Sequence, residues 1–509
     1  MTITNSRLSS RSPAERFAFF VLAAYLWAGV LLAGYFYEAV FLPANALLCL
    51  AVALFLRNGS LSRSISRTRA WIVAVLLLLA LYWLSVFYAA DVEAAVVEAS
   101  RLSGLLPVLL LFSSLPEEAA AKFIRQWAWA GSFLVLWGWA LHLFRNGRLE
   151  STFGYANALA ALLAVGCWIA VAAYREHHGK IYLALAAVQA IGLIQTGSRA
   201  VIPLFVIGSL AMLFMGRSSA VNRRRPVWLS LAAAAVPVAA AAVLIASDNI
   251  RQRFSELGWN APEFVLRRMY WADGWSLFSG HWLFGLGAGG WETAHPNRYF
   301  VRFVHQFYLQ TALDVGIVGL LVLGLLIVWP LVRYAKSGIR KPLPLLAVLL
   351  LLVHAAFDLD LIFPLCSALL FVLLDWTGRP AGHDSSAAPA SPPLRGFRTA
   401  AICACLAATI GFGWLAAGYG MKSAAMRLAA SDPAEAIHWM RQSARLMPWT
   451  HSAHFQLAKL YQSEALRTGS AGYKLMALEE MDSALRALPH YSVYVHWSDT
   501  LKAMDIKAK

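Results

Sequence analysis

The chain has 509 residues, of which 60% are hydrophobic and 14% charged, and its apolar residues come in blocks of about the 20 residues needed to cross a hydrocarbon core. This excludes an ordinary soluble domain and defines a polytopic, all-α membrane protein. The net charge of +16 does not point to nucleic acid, because Lys and Arg stand in short clusters between apolar blocks, where they set topology.

In chain order the apolar blocks fall at 17–37, 41–56, 71–89, 102–115, 126–144, 157–174, 181–195, 200–215, 228–246, 307–332, 343–357, 361–376 and 399–418, which predicts about 13 spans. The first follows Arg7, Arg11 and Arg16 as a signal peptide would, but it exceeds the usual apolar length of one and reads as a first transmembrane helix. Cys49, Cys167, Cys366, Cys403 and Cys405 all lie inside apolar blocks, so they offer neither a disulfide framework nor a zinc site.

Orientation follows from the basic loops. Arg57, Arg63, Arg67 and Arg69, the run Arg223-Arg224-Arg225, and the group Arg333, Lys336, Arg340 and Lys341 fall on one side when spans are counted from a cytoplasmic N-terminus. The same count places the turn "TGSRA", the segment 247–306 and everything after 418 on the opposite, extracytoplasmic face.

The expected organisation is a transmembrane catalytic domain over 1–376, a Pro/Ser/Ala-rich cytoplasmic linker over 377–398, a last span at 399–418 and a small helical domain over 419–509. In the last part, "DPAEAIHWMRQSARLMPWTHSAHFQLAKLYQ" and "ALEEMDSALRALPHYSVYVHW" space small and large apolar residues helically, with Pro448 and Pro489 each closing a helix. They resemble two degenerate tetratricopeptide-type pairs, a possible docking surface for a protein partner. Two repeats bury little core, so they are expected to lean on the membrane domain.

Polar residues inside or beside spans are expensive and mark function. In "GLIQTGSRAVIPLFVIG", Arg199 stands between two apolar runs. The segment 247–306 is rich in cations, with Arg251, Arg253, Arg267, Arg268, His281, His295, Arg298, Arg302 and His305 against Glu256, Glu263, Asp273 and Glu292. Such a surplus attracts an anion at the membrane surface, and arginine suits phosphate because its planar fork binds two oxygens. Arg268, Arg298 and Arg302 are therefore candidates for holding a phosphate-bearing group; contact with lipid headgroups is the plainer alternative. His305 enters the next span, where a neutral imidazole can accept a proton.

Two motifs are set aside. "GLGAGG" at 285–290 fits a dinucleotide fingerprint but lacks the strand and helix around it, and its glycines read as a tight re-entry turn. "DLD" at 358–360 has the carboxylate spacing of a metal-dependent sugar transferase but joins two spans on the external face, and no metal is expected there.

"STFGYANALAALLAVG", "GLIQTGSRAVIPLF", "RMYWADGWSLFSGHWLFGLGAGGWE", "VHQFYLQTALDVGIVGLL" and "VHAAFDLDLIFPL" occur in the order seen in the O-antigen ligase and polymerase superfamily, which the chain resembles over roughly 150–375. The resemblance implies a membrane fold related to the GT-C glycosyltransferases. It also implies transfer of a glycan from a polyprenyl diphosphate carrier to a glycan, lipid or protein hydroxyl, without cofactor, nucleotide sugar or metal. The family's arginines fall on Arg199 and on Arg267, with Arg268 as the adjacent alternative, and its loop histidine falls on His305. Many members carry Asn or Ser where this chain has Gln306. Fixed cations would stabilise the diphosphate leaving group, and His305 would take the acceptor's proton in a single inverting displacement. A protein O-oligosaccharyltransferase remains open within this class. A flippase for a lipid-linked anion would also need cations, although transporters hold their site near the bilayer midplane. A surface scaffold acting through the C-terminal helices is the third reading.

Overall fold

The computed structural model describes residues 12–57, 62–215, 261–295, 301–336, 342–379 and 395–505. Its helices are α1 (Pro13–Leu31), α2 (Glu38–Arg57), α3 (Ser62–Ser85), α4 (Val92–Ser103), α5 (Leu105–Ser113), α6 (Glu117–Ala140), α7 (Ala156–His177), α8 (Ile181–Gln195), α9 (Val201–Met215), α10 (Pro262–Gly280), the short α11 (Trp291–Ala294), α12 (Phe307–Lys336), α13 (Pro342–Ala355), α14 (Pro364–Thr377), α15 (Arg395–Leu428), α16 (Pro433–Leu446), α17 (His451–Thr468), α18 (Ala471–Ala487) and α19 (Ser492–Ala503). The strands among the described residues form one small hairpin, Phe144–Arg145 with Arg148–Leu149. Local chemistry starts several helices. Ser12 and Glu15 form a reciprocal capping box at α1, and the Asp91 carboxylate accepts from the Ala94 amide at α4.

Twelve of the expected apolar blocks coincide with helices, and the block at 228–246 lies outside the described residues. Among the described residues, six helices are long and apolar enough to cross a membrane, counting α4 and α5 as one over Val92–Ser113, and five shorter apolar helices accompany them. The bundle centres on α7 and α14, buried on nearly all sides. Helix α7 contacts α6, α8, α9 and α13, and α14 contacts α5, α12 and α13. A helix that is apolar all round belongs in such a position. The alanines of α7 (Ala158, Ala160, Ala161 and Ala164) allow its neighbours to approach closely.

Helix α12 is broken. Val315 and Gly316 leave helical geometry, and the 282–289 segment fills the gap with backbone hydrogen bonds, Leu286 N to Leu313 O at 2.7 Å and Ile317 N to Trp282 O at 2.8 Å. Asp314 accepts from Gly289 N at 3.0 Å, Gln310 Nε2 at 3.0 Å and Tyr82 Oη at 3.2 Å. Irregular backbone at such depth survives only where protein satisfies it. The glycines of "GLGAGG" thus make a turn docked into a helix break: Gly287 has φ +92°, and a Cβ there would lie 2.4 Å from that of Ala89.

Helix α15 continues past the expected boundary at 418. It runs unbroken to Leu428, because no breaker intervenes, and Gly418 leaves room for Met447 and accepts from Ser443 Oγ at 2.9 Å. The last apolar block and residues 419–428 are therefore one helix, and α16 starts after a turn. Helices α16 to α19 form two pairs around their own core of Ile437, Met440, Leu457, Tyr461, Met481 and Leu501, with α16 and α18 ending just before Pro448 and Pro489. They rest on α4: His451 Nε2 meets Asp91 Oδ1 at 3.1 Å, Ser452 N donates to Glu93 Oε2 at 2.9 Å, and Lys422 Nζ lies 3.4 Å from Glu93 Oε1. The linker residues 380–394 lie outside the described residues.

Candidate active site

The break in "QTGSRAV" is a helix end followed by a helix start. Gly197 takes φ +59°, and Ser198 Oγ accepts from Val201 N at the start of α9. Arg199 therefore stands on the turn at a bundle end, which removes the cost of an arginine in mid-membrane. Its Nη1 lies 4.0 Å from Glu263 Oε2, in the first turn of α10. One turn further along, Arg267 points the same way, and the two arginines line a cavity of about 180 Å³ with Arg148, Asn157, Phe357 and Asp358.

Asp358 organises this cavity. It sits on the loop between α13 and α14, and its side chain is 1% exposed. Its Oδ2 accepts from Arg267 Nη2 at 2.9 Å and Asn157 Nδ2 at 2.5 Å; its Oδ1 accepts from Leu359 N at 2.8 Å and from Tyr155 Oη. Burial pushes the carboxyl up, but the Arg267 guanidinium and His305 outweigh it and hold Asp358 well below the usual carboxylate range. Arg267 is fixed further by Nη1 donating to Phe357 O at 2.8 Å. Arg148, from the hairpin, donates to Thr196 O and Asn157 Oδ1, each at 2.6 Å, and so ties the Arg199 turn to the start of α7.

His305 approaches the same carboxylate from the loop before α12, with Nδ1 3.7 Å from Asp358 Oδ1. Its φ of +54° is unusual for a residue with a Cβ. Around it, Trp271 Nε1 donates to His305 O at 3.3 Å, Tyr270 stacks with ring centroids 6.0 Å apart, and Val304 N donates to Gln310 Oε1 at 3.1 Å. Gln306, the departure from the family pattern, caps α12 by accepting from Leu309 N.

Arg199 and Arg267 thus line one cavity, and His305, which is not among its lining residues, faces the Asp358 carboxylate from the adjoining loop. Arg268 does not join them; it is exposed, with its guanidinium 5.9 Å from the Phe264 ring centroid. Arg302 stands among carboxylates: its Nη2 meets Glu38 Oε1 at 2.8 Å and Glu98 Oε1 at 3.5 Å, and its Nε lies 3.8 Å from Glu292 Oε2. Arg298, Arg251 and Arg253 lie outside the described residues. The two aspartates of "DLD" part company, since Asp358 joins the cavity while Asp360 pairs with buried His354. Among the described residues no three His, Cys, Asp or Glu side chains cluster to hold a metal.

Reading the sequence missed Asp358, Tyr155, Asn157 and Arg148 as parts of one site. Their signal was "STFGYAN", quoted for resemblance alone, and "FDLD", whose aspartates were weighed only as metal ligands.

The fold and this cavity define a helical membrane protein that presents fixed cations and an imidazole around a buried aspartate at one end of its bundle. Residues 183–324 match the family model described as O-antigen ligase, which supports the resemblance to that superfamily. The matched stretch contains Arg199, Arg267 and His305 and ends before Asp358. No curated protein matches the chain.

Proposed function

We propose that the protein is a glycosyltransferase of surface-polysaccharide assembly, with a GT-C-related fold. It moves a glycan from a polyprenyl diphosphate carrier to an acceptor hydroxyl at the extracytoplasmic face of a bacterial inner membrane. The observation that carries this reading is that Arg199 and Arg267 line one cavity with Asp358 while His305 faces the same carboxylate at 3.7 Å, and that all three cationic or basic residues lie within the stretch that matches the O-antigen ligase model.

The chemistry follows from the charges. The donor's lipid tail holds its diphosphate at the membrane surface, beside Arg199 and Arg267. His305 Nε2 removes the acceptor's hydroxyl proton; the oxygen bonds to the anomeric carbon, and the bond to the diphosphate breaks, with its electron pair leaving on the phosphate oxygen. Negative charge grows on that leaving group, so preorganised guanidinium groups stabilise the transition state more than the ground state. Asp358 keeps Arg267 aimed and stabilises the imidazolium. A single displacement inverts the anomeric centre.

The test is incubation of the purified protein in liposomes with a lipid-linked oligosaccharide and an acceptor glycan. Release of polyprenyl diphosphate matched by glycosylated acceptor is expected. Carrier that crosses the bilayer with its glycan still attached would make the protein a flippase instead.

A further inference from the structure

Arg302 lies three residues before His305, and the structure gives it work that composition could not reveal. Its guanidinium is shared among Glu38 at the start of α2, Glu98 on α4 and Glu292 on α11. A second arginine closes the cluster. Arg101 Nε meets Glu98 Oε2 at 3.0 Å, its Nη1 donates to Phe36 O at 2.5 Å, and its side chain is 6% exposed. Three carboxylates against two guanidinium groups make a network in which three separate helices hold one loop. Removing a member leaves its partners charged and unpaired, which is costly in a half-buried setting.

The loop needs such a hold, since His305 adopts a left-handed backbone that a residue with a Cβ leaves readily when support is lost. Val304 beside it is fully buried. Helix α4 carries the network outward as well. Asp91 and Glu93, at its first turn, receive His451 and Ser452 of α17 and Lys422 of α15, while on its later turns Glu98 meets Arg302 and Arg101 pairs with Glu98.

We propose that Arg302 is a positioning residue for His305, its three-carboxylate clamp fixing the loop that presents the imidazole, and that the C-terminal helices brace this clamp through Asp91 and Glu93 on α4. The inference rests on His305 as the proton acceptor. A positioning residue acts on the geometry of turnover and leaves donor binding alone, because Arg302 spends its guanidinium on carboxylates and does not line the cavity of Arg199 and Arg267.

The experiment compares the parent with Arg302→Ala, Arg302→Lys and His451→Ala in the full-length protein, by transfer kinetics and by hydrogen–deuterium exchange of peptides covering 301–306. Arg302→Ala should lower kcat by about 10–100-fold, the cost of an ångström-scale misplacement, with donor KM kept within about twofold. Arg302→Lys should recover part of kcat, and His451→Ala should lower it less. Exchange over 301–306 should quicken in the same order, while peptides of α7 stay unchanged. A rise in donor KM with kcat retained would make Arg302 a substrate ligand and overturn the clamp. So would unchanged exchange over 301–306 in Arg302→Ala. Should the parent transfer no glycan, the functional reading fails, and exchange alone still decides whether the clamp holds the loop.

Discussion

His305 Nδ1 faces Asp358 Oδ1 at 3.7 Å, and the other oxygen of that carboxylate is bound to Arg267. One aspartate therefore orients both the proposed base and a proposed diphosphate ligand. A carboxylate on this side favours the tautomer with the proton on Nδ1 and leaves the Nε2 lone pair for the acceptor. The 3.7 Å gap is longer than a hydrogen bond and is of the kind that tightens when substrate arrives.

Asp358→Asn keeps the shape and removes the charge. The imidazolium loses its counter-charge, Arg267 loses half of its ion pair, and an amide facing His305 no longer selects one tautomer. Turnover should fall by about 10²–10⁴-fold, the range for an orienting aspartate or a lost preorganised charge. Single-turnover release of carrier diphosphate measures this, and a variant that matches the parent removes Asp358 from the mechanism.

The adjacent arginines separate cleanly. Arg267 is half-buried and fixed to Asp358 and Phe357, whereas Arg268 is exposed beside Phe264. Arg267→Ala should cost about 10²–10³-fold in turnover and weaken donor binding as well. Arg268→Ala should stay within about threefold of the parent, as expected for an exposed charge. The reverse ranking, in kinetics on folded protein, would reassign the loop arginine.

This pair marks where the sequence stops being informative. Apolar blocks are legible because a bilayer demands length and apolarity locally, and Arg199 is legible because a charge between two such blocks needs a reason. Arg267 and Arg268 share every local property, and only the phase of α10 against the 357–358 loop decides between them. Asp358 and Asp360 pose the same problem two residues apart, one facing Arg267 and the other His354. The carboxylate partners of Arg302 were not legible because composition counts cations without their partners, and the nearest, Glu38, lies 264 residues away. The continuous α15 was hidden by an apolar block that ends before the helix does.

Gly316 tests the broken helix. It has φ +69°, and a Cβ there would lie 2.1 Å from Leu283 O, a backbone atom that cannot move without breaking the 282–289 turn. Gly316→Ala should destabilise the protein by about 1–3 kcal/mol, through left-handed strain and lost turn contacts. Gly324, on the same helix with open space around its Cβ position, is the control, and Gly324→Ala should not lower stability. Thermal unfolding in detergent reads both; equal midpoints for the two variants would mean that the turn yields easily.

The contact between the C-terminal helices and α4 should depend on pH through His451. Burial alone would lower its pKa, but the hydrogen bond to Asp91 and the charges of Glu93 and Asp91 raise it above the ordinary value of about 6.5, against a smaller opposing effect of Lys422. Tyr494 Oη, at 2.7 Å from Nδ1, faces the ring from α19, and Glu292 lies within electrostatic range from α11. The sign follows: a histidine with a raised folded pKa adds stability that is fully present below about pH 6.5 and is lost as pH rises through the folded value. Spin labels at exposed Leu141 and Leu466 would report the docking as a distance distribution. It should be narrow in mild acid and broaden with rising pH in the parent, whereas His451→Gln should show no such change between about pH 5 and pH 9. A parent distribution that stays the same over this range would show that the remaining contacts of Glu93 with Lys422 and Ser452 hold the helices without any charge on His451.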